Sequence, residues 1–246
     1  MPTELERIAI DAITPAKREP VPSSVPWDVR EIAGSLVYWS AGSGPAVLLV
    51  HGWEGSHADL DAFAAPLLAR GMRVVAFDLP AHGESAGTTA SLPECGQSIL
   101  VVAQRIGPLA GAIGHSAGAP SIAFALQHGL QVERVVLLAT PERYDRYVRW
   151  FAEERGVEGD ALVEAMQARG IDVPSLVLSD NAAQFDVPAL IVHSIDDRTC
   201  DVRGARRVAA SWRTSQLLEV DGLGHNRLLR DPAVIERVAT FIAGAA

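Results

Sequence analysis

Cysteine is nearly absent: the chain holds two, Cys95 and Cys200. They lack metal-ligand spacing and are too few for a disulfide framework, which argues against a zinc module or a stapled secreted fold. A lysine-rich stretch is also missing, and the formal net charge is −9. An acidic chain of this kind repels a phosphate backbone, so nucleic acid is not an expected partner. No apolar run approaches a membrane span; the longest are strand-sized, such as 46–50. Residues 1–11 are charged and contain no apolar core of the kind a secretory leader needs. No internal repeat is present. These absences lead to the expectation of a cytoplasmic protein without a membrane span, with a small molecule as its partner. They leave the oligomeric state open.

What is abundant is apolar side chain: 48% of 246 residues, enough for one α/β domain with a large core. Pro15, Pro20, Pro22 and Pro26 remove backbone donors and fix φ, which predicts an extended surface arm over 12–27. Residues 1–34 are assigned to this N-terminal arm and 35–246 to the domain. From residue 35, strand-like apolar runs alternate with amphipathic segments. Strands are expected at 35–40, 46–50, 73–77, 109–113, 134–138, 189–193 and 216–220. Helices are expected at 59–70, 92–105, 119–128 and 203–212, and from Pro232 onward behind an Asp231 N-cap. Continuous apolar strands between helices predict a mostly parallel sheet with helices on both faces. The alternation breaks between 138 and 189, where helices fall near 143–155 and 159–169. This predicts a short helical cap insertion, about 140–186, over the carboxyl ends of the strands.

Chemistry is concentrated in four places. Gly114-His115-Ser116-Ala117-Gly118 follows one predicted strand and opens a helix, the strand–turn–helix context of a nucleophile elbow. A serine on so sharp a turn needs small neighbours two residues away, and glycine stands at both places. His51-Gly52-Trp53 follows the strand at 46–50. A tetrahedral oxyanion needs two donors, and the backbone N–H groups of Trp53 and Ala117 are the candidates. His51 is assigned a structural hydrogen bond. Gly224-His225-Asn226 lies between the last strand and the last helix. Serine needs a base within hydrogen-bond reach, and His225 is the candidate among seven histidines because it comes late in the chain, after an acid. Of the others, His57 and His128 read as surface residues, His193 as buried, His82 as a loop residue and His115 as pointing away from the nucleophile. The acid comes from Asp196-Asp197, just past the strand at 189–193. Adjacent side chains diverge, so only one faces the base; Asp197 is preferred to Asp196, and Asp201 reads better as a helix N-cap.

Taken together, these residues resemble the α/β-hydrolase superfamily over 35–246. The likeness rests on His51-Gly52-Trp53, the elbow at Ser116, the Asp196-Asp197 pair, His225, and the segment from Asp78 to Ser85. That segment is similar to the family's D-x-P-G-H-G-x-S stretch, with Ala81 where glycine is usual. The resemblance implies a structural role for this loop and none in catalysis for Asp78. It also favours Asp197, since the family's acid commonly stands three residues after a small residue, here Ser194.

The expected reaction is acyl transfer to water through an acyl-enzyme on Ser116, with no cofactor and no metal. A carboxylic ester of a small or medium substrate is the first expectation. A thioester, lactone, amide or carbon–carbon bond cut by the same triad, and a non-catalytic receptor on the same fold, are the alternatives. In the cap, Tyr144, Tyr147 and Phe151 share one helical face and are candidates for lining the pocket, or for packing the cap on the domain. Arg143, Arg146 and Arg149 form a neighbouring stripe that reads as a solvated face.

Overall fold

A computed structural model describes residues 2–16 and 21–244. The elements run α1 (Glu4–Asp11), β1 (Val29–Ala33), β2 (Leu36–Ala41), β3 (Ala46–Val50), α2 (Ala64–Ala69), β4 (Arg73–Phe77), α3 (Leu92–Ile106), β5 (Leu109–His115) and α4 (Gly118–Gln127). They continue with β6 (Val135–Leu138), α5 (Tyr144–Glu153), α6 (Gly159–Ala168), α7 (Leu178–Ala182), β7 (Ala189–Ser194), α8 (Val202–Ser211), β8 (Ser215–Val220) and α9 (Pro232–Ile242). The strands form one eight-stranded sheet in the order β1-β2-β4-β3-β5-β6-β7-β8. Strands β1 and β2 pair antiparallel, β2 joins β4 antiparallel, and every other pairing is parallel.

The central strands read as unbroken apolar runs because both faces are covered. Side chains alternate across the sheet. In β3, Leu48 and Val50 face a layer with Ile99 and Val102 of α3, Ile122 of α4 and Val208 of α8, while Val47 and Leu49 face Phe63, Leu67 of α2, and Val238 and Ile242 of α9. Truncating one such residue, Leu137→Ala for example, costs about 2–5 kcal/mol through lost transfer energy and the cavity left behind.

Three features depart from the sequence reading. The helical spacing over 59–70 predicts one helix, but the segment opens as a 3-10 turn, His57–Phe63, before α2. Pro66 has no N–H to close an α-helical bond to residue 62, so a regular helix cannot run through from the start. The range 1–34 contains α1 and β1. The α1 helix is set by a reciprocal Thr3–Glu6 capping box. Ala12 and Ile13 are buried rather than on the surface. The charged, half-exposed edge strand β1 lacks the apolar run that marks the other strands. Part of the proline-bearing stretch, 17–20, lies outside the described residues.

The stretch expected as a cap carries α5, α6 and α7. Val148, Phe151, Leu162 and Met166 form a separate apolar cluster with Ile8 and Ala9 of α1, while Leu178 and Ala182 of α7 join the main core. Among the described residues, no helix is long and apolar enough to cross a membrane, and no group of three or more His, Cys, Asp or Glu is placed to hold a metal.

Candidate active site

The parallel strands β3, β5, β7 and β8 all point their carboxyl ends to one side, and the four chemical segments follow them there. Ser116 tops the turn between β5 and α4 at φ +49°, a left-handed conformation that strains a non-glycine residue. Its N–H is tied to the Leu138 carbonyl of β6 at 2.9 Å. The glycines of the elbow are steric necessities. A Cβ on Gly118 would lie 2.4 Å from the Val50 carbonyl oxygen, and one on Gly114 would lie 2.7 Å from the Gly118 backbone. The tight turn leaves Ser116 at the amino end of α4, where the helix dipole favours negative charge.

His225 reaches this serine from the loop after β8. The Ser116 hydroxyl donates to His225 Nε2 at 3.0 Å, and His225 Nδ1–H donates to Asp197 Oδ2 at 2.8 Å. The other carboxylate oxygen of Asp197 accepts the N–H groups of Thr199 and Cys200 at 2.8 and 2.9 Å. Burial alone would raise the Asp197 carboxyl. Hydrogen bonding from His193 and His225, together with the Cys200 N–H, outweighs it and holds the group well below the ordinary carboxylate range. His193 is fully buried; its Nε2 donates to the Cys200 carbonyl at 2.8 Å and stands 3.4 Å from Asp197 Oδ2.

Asp196 points elsewhere. It accepts the Gly224 N–H at 2.9 Å and the Ser194 hydroxyl, and so ties the loop that carries His225 to the end of β7. Asp201 caps α8 by accepting the Arg203 N–H at 2.9 Å.

Gly52 packs against the elbow so closely that a Cβ there would meet Ser116 Cβ at 3.0 Å. The Trp53 amide is the next in the chain. Among the described residues, neither the Trp53 nor the Ala117 N–H has an acceptor. His51 donates through Nδ1–H to the Gly52 carbonyl at 2.7 Å and accepts the Leu79 N–H on Nε2 at 2.9 Å. Both ring nitrogens are thereby used by a neutral imidazole, and complete burial pushes it down to about 3.

Two histidines sit differently from their sequence reading. His57, expected on the surface, stacks on Trp39 at 3.6 Å between centroids and bonds Asp78 at 3.0 Å. His115 is no isolated bystander of the elbow: its Nε2–H donates to the backbone carbonyl of His225 at 3.0 Å. Nothing local in sequence announces that bond, which spans 110 positions. On α5, Tyr147 stands 6.2 Å from the Trp53 ring and donates its hydroxyl to the Ala12 carbonyl at 2.8 Å. Tyr144 stacks on Tyr147, and Phe151 is buried in the apolar cluster of α1, α5 and α6 with Arg155 over its ring.

The model of the alpha/beta hydrolase family matches residues 47–238. Several solved structures share the fold. An esterase from Exiguobacterium antarcticum superposes with a TM-score of 0.67 at 16% identity, covering 84% of this chain and 95% of that one. The monoacylglycerol lipase of Paleococcus ferrophilus gives 0.66 at 17%, covering 85% and 99%. The thioesterase domain from the curacin biosynthetic pathway gives 0.65 at 18%, covering 88% and 98%. At these identities the likeness is one of fold. The dihydrolipoyllysine-residue acetyltransferase component of the acetoin cleaving system of Pseudomonas putida is 36% identical over an alignment of 118 residues that covers 44% of this chain and 30% of that protein. This chain thus matches less than a third of that relative's length. The family match spans most of the sequence and includes every segment that builds the site: the chain belongs to the alpha/beta hydrolase family.

Proposed function

We propose that the protein is a serine hydrolase that cleaves a carboxylic ester of a small or medium substrate through an acyl-enzyme. The observation that carries this reading is the unbroken relay from the Ser116 hydroxyl to His225 Nε2, and from His225 Nδ1–H to Asp197. An unaided serine is too poor a nucleophile at neutral pH. His225 takes its proton as Oγ attacks the carbonyl carbon, and Asp197 holds the ring in the Nδ1–H tautomer and stabilises the imidazolium. The N–H groups of Trp53 and Ala117 stabilise the charge that develops on the carbonyl oxygen. The imidazolium then protonates the leaving alcohol. Water attacks the acyl-enzyme in the same way, with His225 again as base. Tyr147, beside Trp53, forms part of the wall that limits the acyl group.

Labelling with a fluorophosphonate probe tests the chemistry. The wild-type protein is expected to be labelled, with labelling lost in Ser116→Ala and His225→Ala. Labelling that survives in Ser116→Ala refutes the assignment. A panel of nitrophenyl esters, thioesters and aminoacyl amides tests the bond, and faster turnover of thioesters than of esters of the same acyl length moves the assignment to a thioesterase.

A further inference from the structure

The aim of the Trp53 N–H depends on the two peptide planes that meet at the Trp53 Cα. The first plane, between Gly52 and Trp53, is held through its carbonyl by His51 Nδ1–H at 2.7 Å and by the Gly55 N–H at 3.1 Å. The second, between Trp53 and Glu54, is held through its N–H, which donates to His82 Nε2 at 3.0 Å. Glu54 sits at φ +54°, a left-handed conformation that a non-glycine residue keeps only under restraint.

His82 is built for that restraint. Its Nδ1–H donates to the Pro80 carbonyl at 2.8 Å, and since a carbonyl only accepts, the proton is on Nδ1 and Nε2 keeps its lone pair. The residue is 4% exposed. Its ring meets the Trp53 indole edge-on at 5.4 Å and the His51 ring at 5.1 Å. The loop reaches this position through Ala81, itself at φ +62°. Among the described residues, no hydrogen bond joins His82 to Ser116, His225 or Asp197.

We infer that His82 is a positioning residue for the oxyanion donor: its neutral imidazole anchors the Glu54 N–H, and so locks the plane that follows Trp53 and keeps the 52–55 turn that presents the Trp53 amide. The inference rests on the proposed function, in which that amide meets the developing oxyanion. Without the Nε2 acceptor, the Glu54 N–H loses its partner, the left-handed turn relaxes and the Trp53 N–H leaves its line. The loss is felt where charge has developed on the oxygen, in the transition state.

The experiment compares His82→Leu and His82→Gln with the wild-type protein in hydrolysis of p-nitrophenyl acetate and in inhibition by a trifluoromethyl ketone. Glutamine places an acceptor oxygen near the Nε2 position and leucine does not. His82→Leu is expected to lose about tenfold or more in kcat with KM little changed, and to bind the ketone more weakly by the same factor. His82→Gln is expected to recover most of both. The inference is overturned if leucine leaves kcat within about twofold of wild type, if the loss falls on KM alone, or if glutamine falls as far as leucine. Should His82→Leu fail to fold, ¹⁵N shifts of the His82 ring in the wild-type protein decide: the Nδ1–H tautomer with an acceptor Nε2 is required, and an Nε2–H or cationic ring refutes it. Loss of fluorophosphonate labelling in the wild-type protein would remove the functional reading itself; a labelled wild type with an unimpaired leucine variant removes only the role of His82.

Discussion

The imidazole of His115 holds the backbone of His225: its Nε2–H donates to the His225 carbonyl at 3.0 Å, and the two rings lie 5.0 Å apart. The residue just before Ser116 is therefore tied to the backbone that carries the His225 ring. His115→Leu is expected to lower kcat about tenfold through misplacement of the ring. It should lower stability by only about 1 kcal/mol, the usual net worth of one hydrogen bond. Steady-state kinetics beside denaturant titration checks this, and unchanged kcat would refute the coupling.

The two adjacent aspartates face different partners, His225 for Asp197 and the Gly224 N–H for Asp196. Asp197→Asn removes the anion that fixes the His225 tautomer, and kcat is expected to fall about 10⁴-fold with the fold intact. Asp196→Asn weakens the ties to the Gly224 N–H and the Ser194 hydroxyl, and a loss below about tenfold is expected. Reversed magnitudes in the same ester assay would assign the triad acid to Asp196.

Stability should carry a histidine signature in acid. Burial pushes His51 down to about 3 and His115 down to about 4 from the ordinary 6.5, and also lowers His82. Between those folded values and 6.5 the unfolded chain binds more protons, so stability is complete above pH 6.5 and declines as pH falls. Asp197, lowered from 3.8, contributes its loss only further down. Calorimetry is expected to show Tm falling between pH 6.5 and 4.5, with about two to three protons taken up on unfolding near pH 5. A Tm that stays level over that interval would count against these buried neutral rings.

Ala81 accounts for the departure from the family's glycine. At φ +62° it bears left-handed strain, yet its side chain is 7% exposed and packed in the core. Ala81→Gly relieves strain but loses a buried methyl and gains unfolded-state entropy, so a change below about 1 kcal/mol is expected. Ala81→Val places a β-branched residue where φ is positive and should cost more than about 2 kcal/mol. Thermal unfolding of both variants measures the difference.

Much of the architecture could be read from the chain because it depends on short-range pattern. The runs of β3, β4, β5, β6 and β7 are apolar on both faces, and that alone marks buried parallel strands. The elbow was legible because its glycines answer a local steric demand. By contrast, α1 and β1 carry no clear local signal: one is a short helix whose apolar face is completed by α5 and α6, and the other is a charged edge strand completed by β2. Propensity over so few residues cannot compete with contacts made far along the chain.

The sequence by itself determined the fold class, the strained serine turn, and the order in which Ser116, the aspartate pair and His225 follow their strands. Each of these is a matter of periodicity or local sterics. Only the tertiary structure decided which aspartate faces His225, and which nitrogen of His51, His82 and His115 carries the proton. Both depend on partners brought close by the sheet, and an imidazole's tautomer is set by the groups its two nitrogens meet.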